Sequence, residues 1–480
     1  MVLSPSQRLI CEGFSLRIEV LKTTTGENGC QKHLADQQLN QLAISTIEKA
    51  RELLTNPAFI ARHRKGVNNF IRNCKLTFPI VMLLTLQKSL KSIQIHLHEF
   101  FKDWSQNGHP LSSATAGAFS HARSKLLPSA FVELNEKAVL EVFYAPQQPL
   151  VQRWQGHRLL GIDSSLVRLP NSASLFLEFA TAQISNQHGE LDSYPQGRIS
   201  VLYDLLNHLG LDAQLVSSSQ GEVELAKAHW SHVLKGDILI CDRGYAGHRW
   251  FAEILHHGAH FVCRCSRGSF TVVQELFARN EAGISKIVTL KTDRPKRLRD
   301  AGLPVEITVR LVTVRLSTGE LEVLATSLLN EKDYPTEAFD ALYWERWGIE
   351  TYYGRLKGRL DLENFSGQTS QAVHQDFQAM IFLSNLESLI SSPVRAKMAQ
   401  PSTEEKQEVK INSAVSLHAL KDNVIELLAS ALPVEQVLLQ MQRLMSQNPV
   451  SIRRERKVPR REFSACRSYH HQRCVRKIVY

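Results

Sequence analysis

Apolar residues recur with a helical period through the first third of the chain and gather into short continuous runs through the middle. Gln37–Leu54 sets Leu39, Leu42, Ala43, Ile47, Ala50, Leu53 and Leu54 on one broad face and predicts an amphipathic helix. Thr77–Phe101 predicts a long second helix punctuated by Pro79; Gly108–His109–Pro110 then breaks the chain. Ala114–Leu126 predicts a shorter helix with Phe119, His121, Arg123 and Lys125. Two readings fit this order: a helix-turn-helix unit and a plain helical bundle.

Pro146 and Pro149 mark a linker, after which strands take over. Arg158–Asp163 predicts one strand; Arg198–Tyr203 and Leu211–Val216 flank an Asn207–Gly210 turn and predict a hairpin. A helix over Glu222–Leu234, a strand over Asp237–Cys241, a helix over His248–His257 and a strand over His260–Cys265 follow. Ile287–Leu290, Val305–Val314 and Leu321–Ser327 predict further strands, the last two joined around Ser317–Gly319, with a basic loop at Arg294–Arg299. Pro335 and Thr336 open one helix that runs through Glu350; Val373–Leu389 predicts another. Residues 394–413 read as a linker and Leu417–Met445 as one or two terminal helices.

Two apolar runs end in an acid: LLGID at Asp163 and ILICD at Asp242. Each is followed by turn residues, as a buried central strand would be. Asp at a strand end also simply starts turns, but strand ends are where sites collect in α/β sheets. A third acid, Glu350, lies in the spacing Tyr343-x2-Arg346-x3-Glu350-x6-Lys357. At roughly 100° per residue these four side chains fall within about 60° of arc on a continuous helix. One carboxylate thus shares a stripe with two cations and a phenol, and the cations can neutralise phosphates that the acid would repel. Three such carboxylates would form an oxygen-only nest for Mg²⁺ or Mn²⁺. Trp347 lies beside the stripe and Trp344 further round; core packing competes with ligand contact for both. Arg243 could pair with Asp242 or meet a phosphate.

With these residues in view, the chain resembles the DDE transposases of bacterial insertion sequences, specifically the insertion-sequence-four group, over roughly residues 60–395. The Tyr343–Arg346–Glu350–Lys357 helix is the most specific part of the match; Asp163 and Asp242 stand where that family has its first and second acids. The resemblance implies an α/β fold: a ribonuclease-H-like core over residues 151–268 and 331–395, interrupted by a mostly β insertion over 269–330. It also implies a helical region at 1–150 that binds DNA ends, with a helical C-terminal region and basic tail at 396–480. It implies Asp163, Asp242 and Glu350 as catalytic residues holding two Mg²⁺ or Mn²⁺ ions. Tyr343, Arg346, Lys357 and Trp347 would contact DNA. The reaction implied is hydrolysis at the element ends, then joining of the freed 3′-OH to target DNA. Partners would be double-stranded DNA, from the terminal repeats and the target, and a second copy of the chain.

Composition narrows the picture further. At 480 residues the chain suggests two to four domains. A net charge of +10 and a pI near 9.2 point to a polyanionic partner. From Ser451 to Tyr480 there are ten Lys/Arg against Glu455 and Glu462, a tail able to follow phosphates or merely to aid solubility. The eight cysteines form no CxxC pair, which speaks against zinc and for reduced thiols in the cytoplasm. Phe78–Leu86 is too short to span a bilayer and the N-terminus lacks a signal pattern. HExxH, GxSxG and GxxxxGK[ST] are missing. The histidine pairs His229/His232, His256/His257 and His470/His471 read as surface or interface residues. A ribonuclease-H-like nuclease and a non-catalytic DNA-binding relative are the rival readings.

Overall fold

The computed structural model describes residues 28–72, 74–146, 148–185, 191–316, 319–399 and 408–452. The basic tail, His470/His471 and part of the turn at Ser317–Gly319 lie outside the described residues. Among those described, nine strands form one mixed sheet. They are β1 (Leu159–Arg168), β2 (Ala180–Ser185), β3 (Leu191–Asp204), β4 (Leu209–Ser217), β5 (Ile238–Cys241), β6 (His260–Cys265), β7 (Ser285–Lys291), β8 (Glu306–Arg315) and β9 (Leu321–Thr326). β1 is central, antiparallel to β3 and parallel to β5. β5 runs parallel to β6, while β2 and β4 pair with successive halves of one edge of the long β3. β9, β8 and β7 then extend the sheet antiparallel beyond β6, so the 269–330 segment continues the same sheet.

Alternation along the strands supplies two cores. Leu159, Val201, Tyr203, Ile238 and Ile240 face one side, where helices over residues 338–362 pack. Leu160, Ile162, Leu202, Leu239 and Cys241 face the other, against His248–His256 and the helices at both ends of the chain. The helix Ser370–Met398 is longer than Val373–Leu389, passes through Pro393 into the expected linker, and packs against both β4 and the helix Asn28–Thr55. No helix of the described residues is long and apolar enough to cross a membrane.

Three helical expectations need correction. Thr77–Phe101 is two helices, Phe78–Gln87 and Ile93–Gln106. Pro79 sits in the first turn, where its missing N–H is not needed; the real break is at Lys88, after which the Ser92 hydroxyl caps the second helix by accepting from the Ile95 amide. Glu222–Leu234 is α-helical only over Glu222–Ala226 and tightens to a 3₁₀ turn over Lys227–His232. The helix through Glu350 is two helices, Ala338–Trp344 and Trp347–Gly358. Between them the amides of Arg346, Gly348 and Ile349 bond three residues back, to Tyr343, Glu345 and Arg346. That tightening changes the angular step, so Tyr343 is not on one regular stripe with Glu350 and Lys357.

Candidate active site

Leu159, Gly161 and Asp163 alternate onto the face of β1 covered by the helix Trp347–Gly358. The register Leu159↔Ile238 and Gly161↔Ile240 carries Asp242 to the same level on the neighbouring strand line. Gly161 is required by the helix above it. A Cβ there would lie 2.9 Å from Leu205 Cδ2 and 3.4 Å from Ile349 Cβ. Gly348 presses on the same Leu205 from the helix side, 3.1 Å from where its Cβ would be. Packing therefore accounts for both glycines. The close crossing sets Ile349 over Gly161, two residues from Asp163 on the same strand, with the half-exposed Glu350 next along the helix.

The backbone of Asp163 is held from two directions. The Tyr353 hydroxyl donates to its carbonyl at 2.7 Å and the Ser200 hydroxyl at 3.3 Å. Behind Ser200, His229 bridges to Asp212, with Nε2 at 2.9 Å from Ser200 Oγ and Nδ1 at 2.7 Å from Asp212 Oδ2. His229 is fully buried, not a surface residue as its spacing suggested. Burial pushes the Asp163 carboxyl up to about 6; the Ser164 amide opposes the rise, the charge of Asp242 adds to it and Arg346 opposes it. Asp242 caps the turn that follows β5, accepting from the Gly244 amide at 2.8 Å.

A further acid, Glu222, borders the site and is not evident from sequence. Its Oε1 accepts from Ser164 Oγ at 2.8 Å and from Arg198 at 2.7 Å. Its Oε2 lies 3.8 Å from the point a Gly244 Cβ would occupy, beside the Asp242 turn. The only signal was a glutamate opening a short helix after the hairpin.

The stripe residues do different things. Arg346 donates to Glu350 Oε1 at 2.8 Å, with the arginine side chain 8% and the glutamate 40% exposed. Tyr343 is buried and its hydroxyl has no partner. Lys357 reaches back to β1, donating to Ser165 Oγ at 2.8 Å and to the Leu166 carbonyl at 2.6 Å; burial lowers its pKa. Trp344 and Trp347 are 64% and 41% exposed, so neither packs the helix on the sheet. Arg346 lies 5.0 Å from the Trp347 ring centroid. Arg243 is exposed.

Asp163 and Asp242 suit a hard divalent cation in donor chemistry: two carboxylates on adjacent strand lines, one of them raised by burial and by the other's charge. Glu350 is not with them. Among the described residues no three His, Cys, Asp or Glu side chains gather closely enough to hold a metal ion. The described cysteines Cys74, Cys241, Cys263 and Cys265 are free thiols.

Known proteins similar to this chain are transposases or carry a transposase domain. The family model of the transposase DDE domain matches residues 154–386. The transposase InsG for insertion sequence element IS4 of Escherichia coli (strain K12) is 25% identical over 280 residues, covering 55% of this chain and 61% of that protein. The y4zB protein of Sinorhizobium fredii (strain NBRC 101917 / NGR234) is 32% identical over 149 residues, 30% of this chain and 40% of its own length. The match thus spans less than two thirds of either relative. A cryo-EM structure of the piggyBac transposase synaptic complex with hairpin DNA aligns with a TM-score of 0.41 at 13% identity over 87% of each chain. From Trp154 to Leu386, this chain is similar to the transposase DDE domain family.

Proposed function

We propose that the protein is a DNA transposase that cleaves the ends of an insertion sequence and joins them to target DNA. The observation that carries this reading is the common face. Strand alternation and register bring Asp163 and Asp242 side by side beneath the helix that bears Glu350, within the segment of the DDE domain family. The sheet order β4–β3–β1–β5–β6, with β3 antiparallel and β5 and β6 parallel to β1, supports a ribonuclease-H-like core.

Phosphodiesters resist attack because negative charge shields the phosphorus. Divalent ions, Mg²⁺ or Mn²⁺, would supply activation of the attacking oxygen and stabilisation of the leaving one. The chain's own residues do the rest. Asp163 and Asp242 offer oxygen donors in a half-buried setting, with the Asp163 backbone fixed by Tyr353 and Ser200. Glu350 would supply the third acid. Arg346 would supply cationic charge to the DNA backbone, the exposed Trp344 and Trp347 would supply ring faces beside it, and the buried Tyr343 and the β1-bonded Lys357 would fix this helical segment in place. In the first step a water oxygen bonds to phosphorus and the bond to the 3′ oxygen breaks, freeing a 3′-OH. In the second that hydroxyl oxygen bonds to a target phosphorus while the target's own bond from phosphorus to the 3′ oxygen breaks and leaves a target 3′-OH, so no protein side chain becomes covalently attached. The helical region before residue 150 and the basic tail would hold the ends, and two copies would handle two ends together. The work would be done in the cytoplasm, on the chromosome.

The test uses a labelled duplex of the element's own terminal repeat, read from the DNA flanking the gene, with Mg²⁺. Cleavage with joining supports the transposase; cleavage alone indicates a nuclease, and a mobility shift without nicking a DNA-binding protein. Glu350→Ala should keep end binding and lose nicking, by roughly 10³-fold or more, as when a group acting only in the transition state is removed. Normal cutting by that variant would remove Glu350 from the site.

A further inference from the structure

The third acid is engaged elsewhere, and its partner is informative. Arg346 holds Glu350 Oε1 at 2.8 Å, while its own charge also acts on Asp163. The guanidinium is almost wholly buried, between the rings of Tyr343 and Trp347. Its Nε is buried with no hydrogen-bond partner. A buried, unsatisfied N–H on a charged group is costly, and a planar guanidinium matches a phosphate through two donors at once. The carboxylate it holds is 40% exposed and can swing away without leaving a cavity.

We infer that Arg346 is a positioning residue that keeps Glu350 out of the acid set until a DNA phosphate takes Glu350's place on the guanidinium. The inference rests on the transposase reading and deepens it. In the free protein Asp163 and Asp242 meet a cation without Glu350. A phosphodiester arriving at the exposed Glu350 side takes the carboxylate's place on the Arg346 Nη2 and frees the glutamate to turn toward the aspartates. Metal and DNA then favour each other's binding by equal factors, as linkage requires. A nuclease site assembled only on substrate would spare other DNA between transposition events.

The experiment is Mn²⁺ binding to the full-length protein without DNA, followed by the loss of the free-ion paramagnetic resonance signal. Wild type and Glu350→Gln should bind Mn²⁺ alike, because the glutamate is not a ligand in this state. Arg346→Gln should bind more tightly, on the order of tenfold for one added carboxylate ligand, and Arg346→Gln/Glu350→Gln should lose that gain. If Glu350→Gln weakens Mn²⁺ binding several-fold in the otherwise unchanged protein, Glu350 is already a ligand and the inference fails. Glu350 is exposed enough that this variant folds, so the outcome stands even if Arg346→Gln does not fold. Asp163→Asn is the separate control. If it leaves Mn²⁺ binding untouched, the acid site itself is wrong, which is a different failure from Glu350 being bound from the start.

Discussion

Asp163 carries a charge that the free, folded chain holds at a cost. Burial and the neighbouring Asp242 push its carboxyl up to about 6, against the opposition of the Ser164 amide and Arg346. A rise of this size corresponds to roughly 1–3 kcal/mol against the charged form near neutral pH. Sites that must bind a cation or a reacting group often carry such local destabilisation. Asn at this position keeps an acceptor for the Ser164 amide and discards the charge. Asp163→Asn should therefore melt higher than wild type in a chelated buffer at pH 7.5, while nicking of the terminal-repeat duplex disappears. A melting temperature equal to or below wild type would mean that the carboxylate is not strained in the free protein. Glu350→Gln makes a useful contrast. Its acid is exposed but holds the buried Arg346, so Gln, which keeps an acceptor and loses the charge, should lower stability by about 1–3 kcal/mol.

At the scale of elements, the crossing of β1 by the helix Trp347–Gly358 fixes where the backbone of Glu350 stands relative to β1. Leu205 is pinched between Gly161 and Gly348. A valine at Gly161 would push on Ile349, the residue before Glu350, and so shift the third acid relative to the first. Gly161→Val should cost about 1–3 kcal/mol, the usual range for overpacking. At saturating DNA its nicking rate should fall further than its DNA affinity; a proportionate loss of both would show that the helix had not moved. β5 and β6 were legible in the sequence, because continuous apolar runs bounded by turn residues leave few alternatives, and they fall close to where ILICD and His260–Cys265 set them. β1 begins where LLGID sets it but runs on through Ser164 and Ser165 to Arg168, paired with β3 throughout, so Asp163 lies mid-strand and not at the expected strand end. The break at Glu345–Arg346 was not legible. A tightened turn made of bonds three residues back leaves the apolar period almost unchanged, so the pattern still reads as one helix. Glu222 and the Ser200–His229–Asp212 chain were hidden for another reason. Each becomes meaningful only when β3 and β4 fold back beside β1, and strand pairing across that distance is not written in any local pattern. The same limit concealed that β7, β8 and β9 prolong the sheet beyond β6.

Across the whole molecule, the helical N-terminal region is joined to the core by buried polar groups. Arg123, in a helix that could have been a DNA reader, is buried and donates to Gln375, Ser366, the Ala372 carbonyl and Asp376. It is part of the joint and cannot reach a phosphate. Lys88, at the break that sequence periodicity missed, is buried in the same seam. Its ammonium donates to the Asp361 carbonyl at 3.2 Å and lies 5.6 Å from the Phe365 ring. Burial lowers its pKa to about 8, the charge of Asp376 opposing and that of Lys421 adding to the fall; Lys421 is itself lowered by burial. The direction of the pH effect follows. Below about 8 the lysine is charged both folded and unfolded, and the folded chain bears the full cost of burying that charge. As pH rises from about 8 toward its ordinary value of 10.5, the folded state releases the proton first. Stability therefore rises, by up to about 3 kcal/mol for a shift of this size. Methionine fills a similar volume without the charge and forgoes only the bond to the Asp361 carbonyl. Urea unfolding should find Lys88→Met more stable than wild type at pH 7. The two should converge toward pH 10, with Lys421 leaving a smaller pH slope of the same sign in the variant. If the difference between them were the same at pH 7 and pH 10, Lys88 would not be the group that titrates in the seam. The joint between the N-terminal helices and the core would then have to draw its pH response from Lys421 alone.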